Sequence, residues 1–464
     1  MLKIFGNPLL RQYGVVILVN LSVLATGVGL MWPSPVLVKL SNSTQTVLLE
    51  PITEEQGSWI VSIGFLTSIA SNIFIGTVLV DRLGRKYCLI LVCLPKIVAG
   101  FVFLYASKVW MLLLGRALLG IGDAGIFTIL PMYASEIASK EIRGSLGTIL
   151  QIMCSIGVVI MTSMGPFVSY WTLNIIFTCI LIFTTIPLFI LPDSPYFLYS
   201  RGKKSEALKV LTFLRGSESM ATEELKEYEI AAEKDSNRIS KMDILTNRLF
   251  LKSLFLVLVL ALGTQFVGFN AVTFYLQTVL ESTETSVRSE IASVTIGLIQ
   301  LFASFCTTMV TDRFGRKPIL SVTGFGMAVG MFGLGLFFKL KEDGPTVGFM
   351  NYVPLISLIL VVFCYSAGIG SLIWVLNAEL FDDPSRGIGM SLGLLTSTLS
   401  MFLTTKYFAI VSTAIGPYIT YGIFSVNCVL FSLFVLFCVP ETKGRSFAEI
   451  QDILRKRNVV SFKC

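Results

Sequence analysis

Asp81-Arg82-Leu83-Gly84-Arg85-Lys86 returns 231 residues later as Asp312-Arg313-Phe314-Gly315-Arg316-Lys317, and in both places the hexapeptide follows a long apolar run. Two further pairs keep the same order. Glu136 stands seven residues before Arg143-Gly144, and Glu379 stands seven before Arg386-Gly387. Pro192-Asp193-Ser194-Pro195 closes one hydrophobic block, and Pro440-Glu441-Thr442-Lys443-Gly444 closes the other. Three pairs at a spacing of 231 to 248 residues predict two structurally equivalent halves.

Working outward from these motifs, 54% hydrophobic and 14% charged residues, with a mean hydropathy of +0.78, fit no soluble class. A helix needs roughly 20 apolar residues to cross the hydrocarbon core. Hydrophobic windows place twelve spans at 13–36, 57–80, 87–106, 109–134, 146–168 and 170–191, then 250–280, 289–311, 317–338, 352–379, 387–410 and 416–439. The expected fold is an all-α membrane protein of twelve transmembrane helices in two pseudo-symmetric six-helix bundles. The halves occupy 1–191 and 249–439, a cytoplasmic linker with short helices occupies 192–248, and 440–464 is a cytoplasmic tail. In the linker, Ser205 to Arg215 and Glu223 to Glu233 are helix-compatible and highly charged, which predicts short surface helices in water.

Orientation follows from the basic residues. With the N-terminus inside, the inner segments and the span ends adjoining them hold 28 Lys and Arg and the outer loops five, so both termini are placed in the cytoplasm. The same bias accounts for the net charge of +7, which leaves no nucleic-acid role to infer. Asn42-Ser43-Thr44, in the first outer loop, is a candidate glycosylation site. All nine cysteines fall in spans or on the cytoplasmic side, so no disulfide is expected. The chain has no histidine and no CxxC pair, which removes His-based triads, HExxH zinc sites and histidine proton relays. No catalytic residue, metal site or cofactor is assigned. Gly120-x-Gly122-x-x-Gly125 matches a dinucleotide fingerprint literally, but it lies inside a span with no strand before it; close helix approach is the expected role of its small residues.

The doubled Asp-Arg-x-Gly-Arg-Lys loop, the Pro-Asp-Ser-Pro and Pro-Glu-Thr-Lys-Gly signatures and the Gln265 to Asn270 stretch resemble the sugar porter family of the major facilitator superfamily. The resemblance covers essentially the whole chain. Trp32-Pro33-Ser34-Pro35 and the stretch from Pro131-Met132-Tyr133 to Gln151 look most like the facilitated trehalose transporter group. The resemblance implies the major facilitator fold and uniport of a small-molecule sugar, trehalose or a hexose such as glucose, by alternating access. It also implies a multi-pass protein of the plasma membrane, surrounded by membrane lipid; a monomer is expected.

An uncharged sugar entering a midplane cavity needs neutral amides that both donate and accept, with aromatic faces against its C–H surfaces. Gln151, Gln265, Asn270 and Gln300 match or replace the family's sugar-binding amides, Trp374 its stacking or gating tryptophan, and Phe269 an apolar cavity position. Gln265 and Asn270 are five residues apart, so both face one cavity only if span seven breaks near Gly268. Three positions depart from the family: Thr264 stands for the first Gln of a Gln pair, Ser397 for an Asn in span eleven, and Ser366 to Ile373 lacks the prolines that normally break span ten.

The family's cytoplasmic gate implies ion pairs among Arg85, Glu136 and Arg143 in the first half and Arg316, Glu379 and Arg386 in the second. Tyr196 replaces the arginine of the family's first closing signature, so the first half lacks one partner. Proton-coupled members carry an acid in span one, whereas Tyr13 to Pro35 holds no Asp or Glu and Thr26 falls near that position. Passive transport is therefore expected. Two alternatives stay open: proton coupling through the intramembrane Asp123, for which a pairing with Lys96 is the structural explanation, and a sugar sensor that does not complete a transport cycle.

Overall fold

A computed structural model describes residues 7–139, 143–235, 241–285, 287–344, 348–381, 383–443, 445 and 447–456. The side chains of Arg143, Asp312 and Arg313 lie outside the described residues. Among the described residues all regular structure is helical. Eleven helical stretches are long and apolar enough to cross a membrane, among them Pro8–Ser41, Glu54–Phe74, Val109–Ile137, Arg248–Phe274 and Ser385–Ile415. Span five is the helix Arg143–Met164, whose described apolar part is Ile149–Met164. Helices prevail because hydrocarbon offers no partner for a backbone N–H or C=O, so each span satisfies its own.

The two hexapeptides make equivalent turns. Gly84 and Gly315 sit at φ 85° and 88°, in the region open to glycine and strained for other residues, and each joins the end of one helix directly to the start of the next. Elsewhere the spans bend at identifiable features. Span seven stops at Phe266, passes through Gly268 at φ 85° and resumes at Phe269. Span ten has no proline in its centre; one turn of π-helix, Tyr365–Ile369, interrupts it between Val353–Cys364 and Gly370–Glu379. The π-turn interrupts the regular hydrogen-bond ladder of this span.

The chain divides into two compact units. The first holds Met1–Trp32, Asn42–Ile52 and Ile63–Arg238, the second Pro33–Ser41, Thr53–Ser62 and Ile239–Cys464. The outer ends of spans one and two thus pack with the second half of the sequence, although the rest of both helices packs with the first.

Within the first unit, the linker helix Lys204–Arg215 docks one face on the inner ends of spans one and four. Ala207, Leu211 and Leu214 are fully buried. Lys204, Glu206 and Lys209 on the same helix are exposed, so its charged side faces outward while these three apolar residues pack inward. The last carbonyls of a helix have no partner of their own. Arg215 satisfies those of Ile137 (2.8 Å) and Ala138 (3.4 Å) while its guanidinium pairs with Glu224 at 2.7 Å. Gln12 binds on both sides, donating to the Leu214 carbonyl (3.1 Å) and accepting from the Ser139 amide (2.8 Å).

Candidate functional site

In the second unit the break in span seven does what the sequence spacing required. Gln265 is the penultimate residue of one helical segment and Asn270 the second of the next, so the kink turns both amides to the same side. Asn270 Nδ2 donates to Gln265 Oε1 at 2.8 Å, and Gln265 Nε2 donates to Ser397 Oγ of span eleven at 3.0 Å. All three side chains are buried. Ser397, a departure from the family's amide, still completes the chain of hydrogen bonds; its shorter side chain leaves that neighbourhood roomier than an Asn would.

Phe269 forms the apolar wall beside this network. It stacks face to face on Tyr365, with ring centroids 3.7 Å apart and planes 6° from parallel. Tyr365 was not singled out from the sequence. Its only local signal is a hydroxyl-bearing aromatic followed by Ser366, Ala367 and Gly368 inside an apolar run, and the π-turn that begins at Tyr365 has no sequence signature of its own. Thr307 of span eight donates to the Ser366 carbonyl at 2.8 Å, taking up a backbone acceptor released by that turn.

Gln300 of span eight is buried, with Oε1 lacking any hydrogen-bond partner; Ser371 Oγ and Asn377 Oδ1 of span ten are in the same condition. A buried acceptor without a donor costs about 1–3 kcal/mol, so each of these atoms calls for a donor. Trp374 is 40% exposed. Gln151 lies half-buried in span five of the first unit.

The first unit holds a different cluster. Lys96 Nζ lies 2.7 Å from Asp123 Oδ1 and 2.6 Å from Thr26 Oγ1, with only 2% of the lysine exposed. Arg116 Nη1 donates to the Gly29 carbonyl at 3.0 Å. The pairing left open by depth alone is therefore formed, and it places Asp123 beside the span-one threonine. Gly122 makes room for the lysine: a methyl group there would collide with the Lys96 stem, and one on Gly125 with Val92. The small residues of the Gly120 to Gly125 run thus serve helix packing.

At the inner ends, each half forms its own ion pair. Arg85 meets Glu136 at 2.9 Å in the first unit, and Arg316 meets Glu379 at 3.1 Å in the second. Arg386 donates to the Ala378 carbonyl at 3.2 Å. Glu441, from the closing signature, accepts from the backbone amides of Arg316 and Lys317, both at 3.1 Å. Tyr196 does not leave Arg85 bare: the guanidinium lies 5.9 Å from the Tyr196 ring centroid and 5.5 Å from that of Phe197, so two ring faces stand beside the cation. Burial pushes the Asp193 carboxyl up, an effect opposed by the Ser194 and Lys86 amides and by the charges of Lys86 and Arg85.

Asn42, between spans one and two, is exposed, and its Oδ1 accepts from the Thr44 amide (2.9 Å) and hydroxyl (2.8 Å).

Comparison with known proteins places this geometry. The facilitated trehalose transporter Tret1 of Polypedilum vanderplanki is 31% identical over 452 residues, 96% of this chain and 88% of that protein. Tret1 of Apis mellifera ligustica is 31% identical over 437 residues, 93% of this chain and 86% of its own. The inward-open conformation of the xylose transporter XylE from E. coli superposes with a TM-score of 0.81 over 95% of this chain and 99% of that one, at 22% identity, and so shares the major facilitator fold. A family profile described as "Sugar (and other) transporter" matches residues 35–454. With that match running from the outer end of span one into the C-terminal helix, the chain belongs to the sugar transporter family.

Proposed function

We propose that the protein carries trehalose or a hexose passively across the plasma membrane by alternating access, with both termini in the cytoplasm and a glycan on Asn42. The observation that carries this reading is the buried Gln265–Asn270–Ser397 network walled by the stacked Phe269 and Tyr365. It is neutral throughout, rich in donors and acceptors, and built at a helix break, which suits an uncharged polyol and offers nothing to an ion. Gln151, Gln300 and Trp374 complete the sugar site in this reading. The inner ion pairs of Arg85 with Glu136 and of Arg316 with Glu379, together with Arg143 and Arg386, form the cytoplasmic gate.

Passive transport rests on Asp123 as well. Its carboxylate is engaged by a buried lysine, and a paired structural charge is a poor proton carrier because protonation would strand the ammonium. The test is uptake of labelled trehalose and glucose into liposomes containing the purified protein, with and without a pH gradient. Uptake should equilibrate and ignore the gradient. Gln265→Ala should weaken sugar affinity about tenfold to a hundredfold, the loss expected when sugar hydroxyls lose one amide in a dry site. Normal affinity in that variant would move the site elsewhere.

A further inference from the structure

The second unit contains a lysine that neither the sugar site nor the cytoplasmic gate uses. Lys406 lies in span eleven and is 6% exposed. Its ammonium donates to Ser58 Oγ at 2.8 Å and stands 4.2 Å from the centroid of the Trp59 ring. Both partners are on span two, at residues 348 and 347 positions earlier in the chain. Trp59 also faces Phe402, one turn before Lys406, at 6.2 Å. Elsewhere in the same unit, Thr413 of span eleven donates to Glu54 at 3.0 Å, and the backbone N–H of Gln277, beyond the span-seven break, donates to Ser34 Oγ at 3.0 Å.

These contacts share one property. Each joins the second half of the sequence to Pro33–Ser41 or Thr53–Ser62, the outer ends of helices whose inner continuations pack in the first unit. A helix shared in this way cannot follow one half without leaving the other. An ammonium held by a hydroxyl and a ring face is also a suitable releasable contact, because unlike a buried carboxylate pair it strands no opposite charge when it opens.

We propose that Lys406 is the bolt of the outer gate: it holds the outer end of span two on span eleven through Ser58 and Trp59, and it must release both before sugar enters from outside. Lys406 is a positioning residue for the transport cycle and does not itself bind sugar. The inference rests on the alternating-access reading above, and its test reads the gate without reading transport.

Ser62 is fully buried, one turn beyond Ser58, and donates to the Ser58 carbonyl at 2.7 Å. In the full chain in proteoliposomes, Ser62→Cys reports opening through its rate of reaction with a membrane-impermeant thiol reagent added outside. Lys406→Met should raise that rate about fivefold, the shift expected from losing one desolvated cation–π contact. Trp59→Leu should raise it comparably, and the double variant no further than the larger single change, because both remove one interaction. Lys406→Arg should restore slow labelling, which a mere packing defect would not predict. Unchanged labelling in Lys406→Met, or multiplicative effects in the double variant, would overturn the proposal. If Lys406→Met does not fold, Trp59→Leu and Ser58→Ala decide: labelling as slow as in the parent in both overturns the bolt. Wild-type protein that moves no sugar while the labelling pattern holds would sink the transport reading and leave the bolt standing.

Discussion

Replacing Asp123 by asparagine should strand Lys96. The lysine is 2% exposed, its ammonium touches Asp123 at 2.7 Å and Thr26 at 2.6 Å, and Gly122 lies against its stem. In Asp123→Asn the threonine hydroxyl and a neutral amide remain to face a full positive charge in a site shielded from water. Removing one partner of a buried pair costs about 3–5 kcal/mol, which corresponds to a fall of about 3–5 °C in unfolding temperature for a chain of this length. Replacing both partners, as Lys96→Met with Asp123→Leu, removes charge and counter-charge together and should return most of the loss, since apolar substitutes for a buried pair are often neutral or better. The assay is thermal unfolding of the detergent-solubilised protein followed by size-exclusion chromatography, alongside sugar equilibration in liposomes at two pH values. The double variant should still transport and should show no new pH dependence. A single Asp123→Asn variant as stable as the parent, or proton-driven accumulation that this variant abolishes, would refute the structural role of the pair.

Glu379→Gln should keep expression and sugar binding but speed labelling of cysteines placed in the cytoplasmic cavity several-fold. The Arg316–Glu379 contact, with its side chains about one-fifth exposed, contributes on the order of 1 kcal/mol; unchanged labelling there and in Glu136→Gln would reduce both pairs to topology signals. Gly268→Ala should abolish uptake and lower stability, because φ 85° is strained for alanine and the added methyl would meet the Phe424 ring; a variant with normal uptake would mean that the break is not needed. The raised Asp193 carboxyl binds its proton more tightly when folded, so its contribution to stability is favourable at acid pH and diminishes as pH rises from its ordinary value of 3.8 through its raised one. Asp193→Asn should flatten the pH dependence of unfolding over that window, and an unaltered profile would remove the burial argument.

Much of this protein was legible from its sequence because the membrane simplifies the problem. In hydrocarbon a backbone must satisfy its own hydrogen bonds, so apolar runs of sufficient length imply helices. The doubled hexapeptide implied two equivalent halves, and the Gln265 to Asn270 spacing demanded a break at Gly268, since no unbroken helix points residues five apart in one direction. Other features depended on neighbours that sequence spacing does not specify. The π-turn at Tyr365 arises where Thr307 of another helix takes up a released carbonyl, so span ten bends without proline. Tyr196, which reads as a missing gate partner, becomes a ring face under Arg85 once the closing signature folds back beside it. Lys96 and Asp123 could be placed at similar depth by helix rise, but only the packing of spans three and four brings them within 2.7 Å. The sharing of spans one and two between the units was wholly hidden: their sequences are continuous apolar helices, and which half each end joins is decided by contacts such as those of Lys406, made across hundreds of residues.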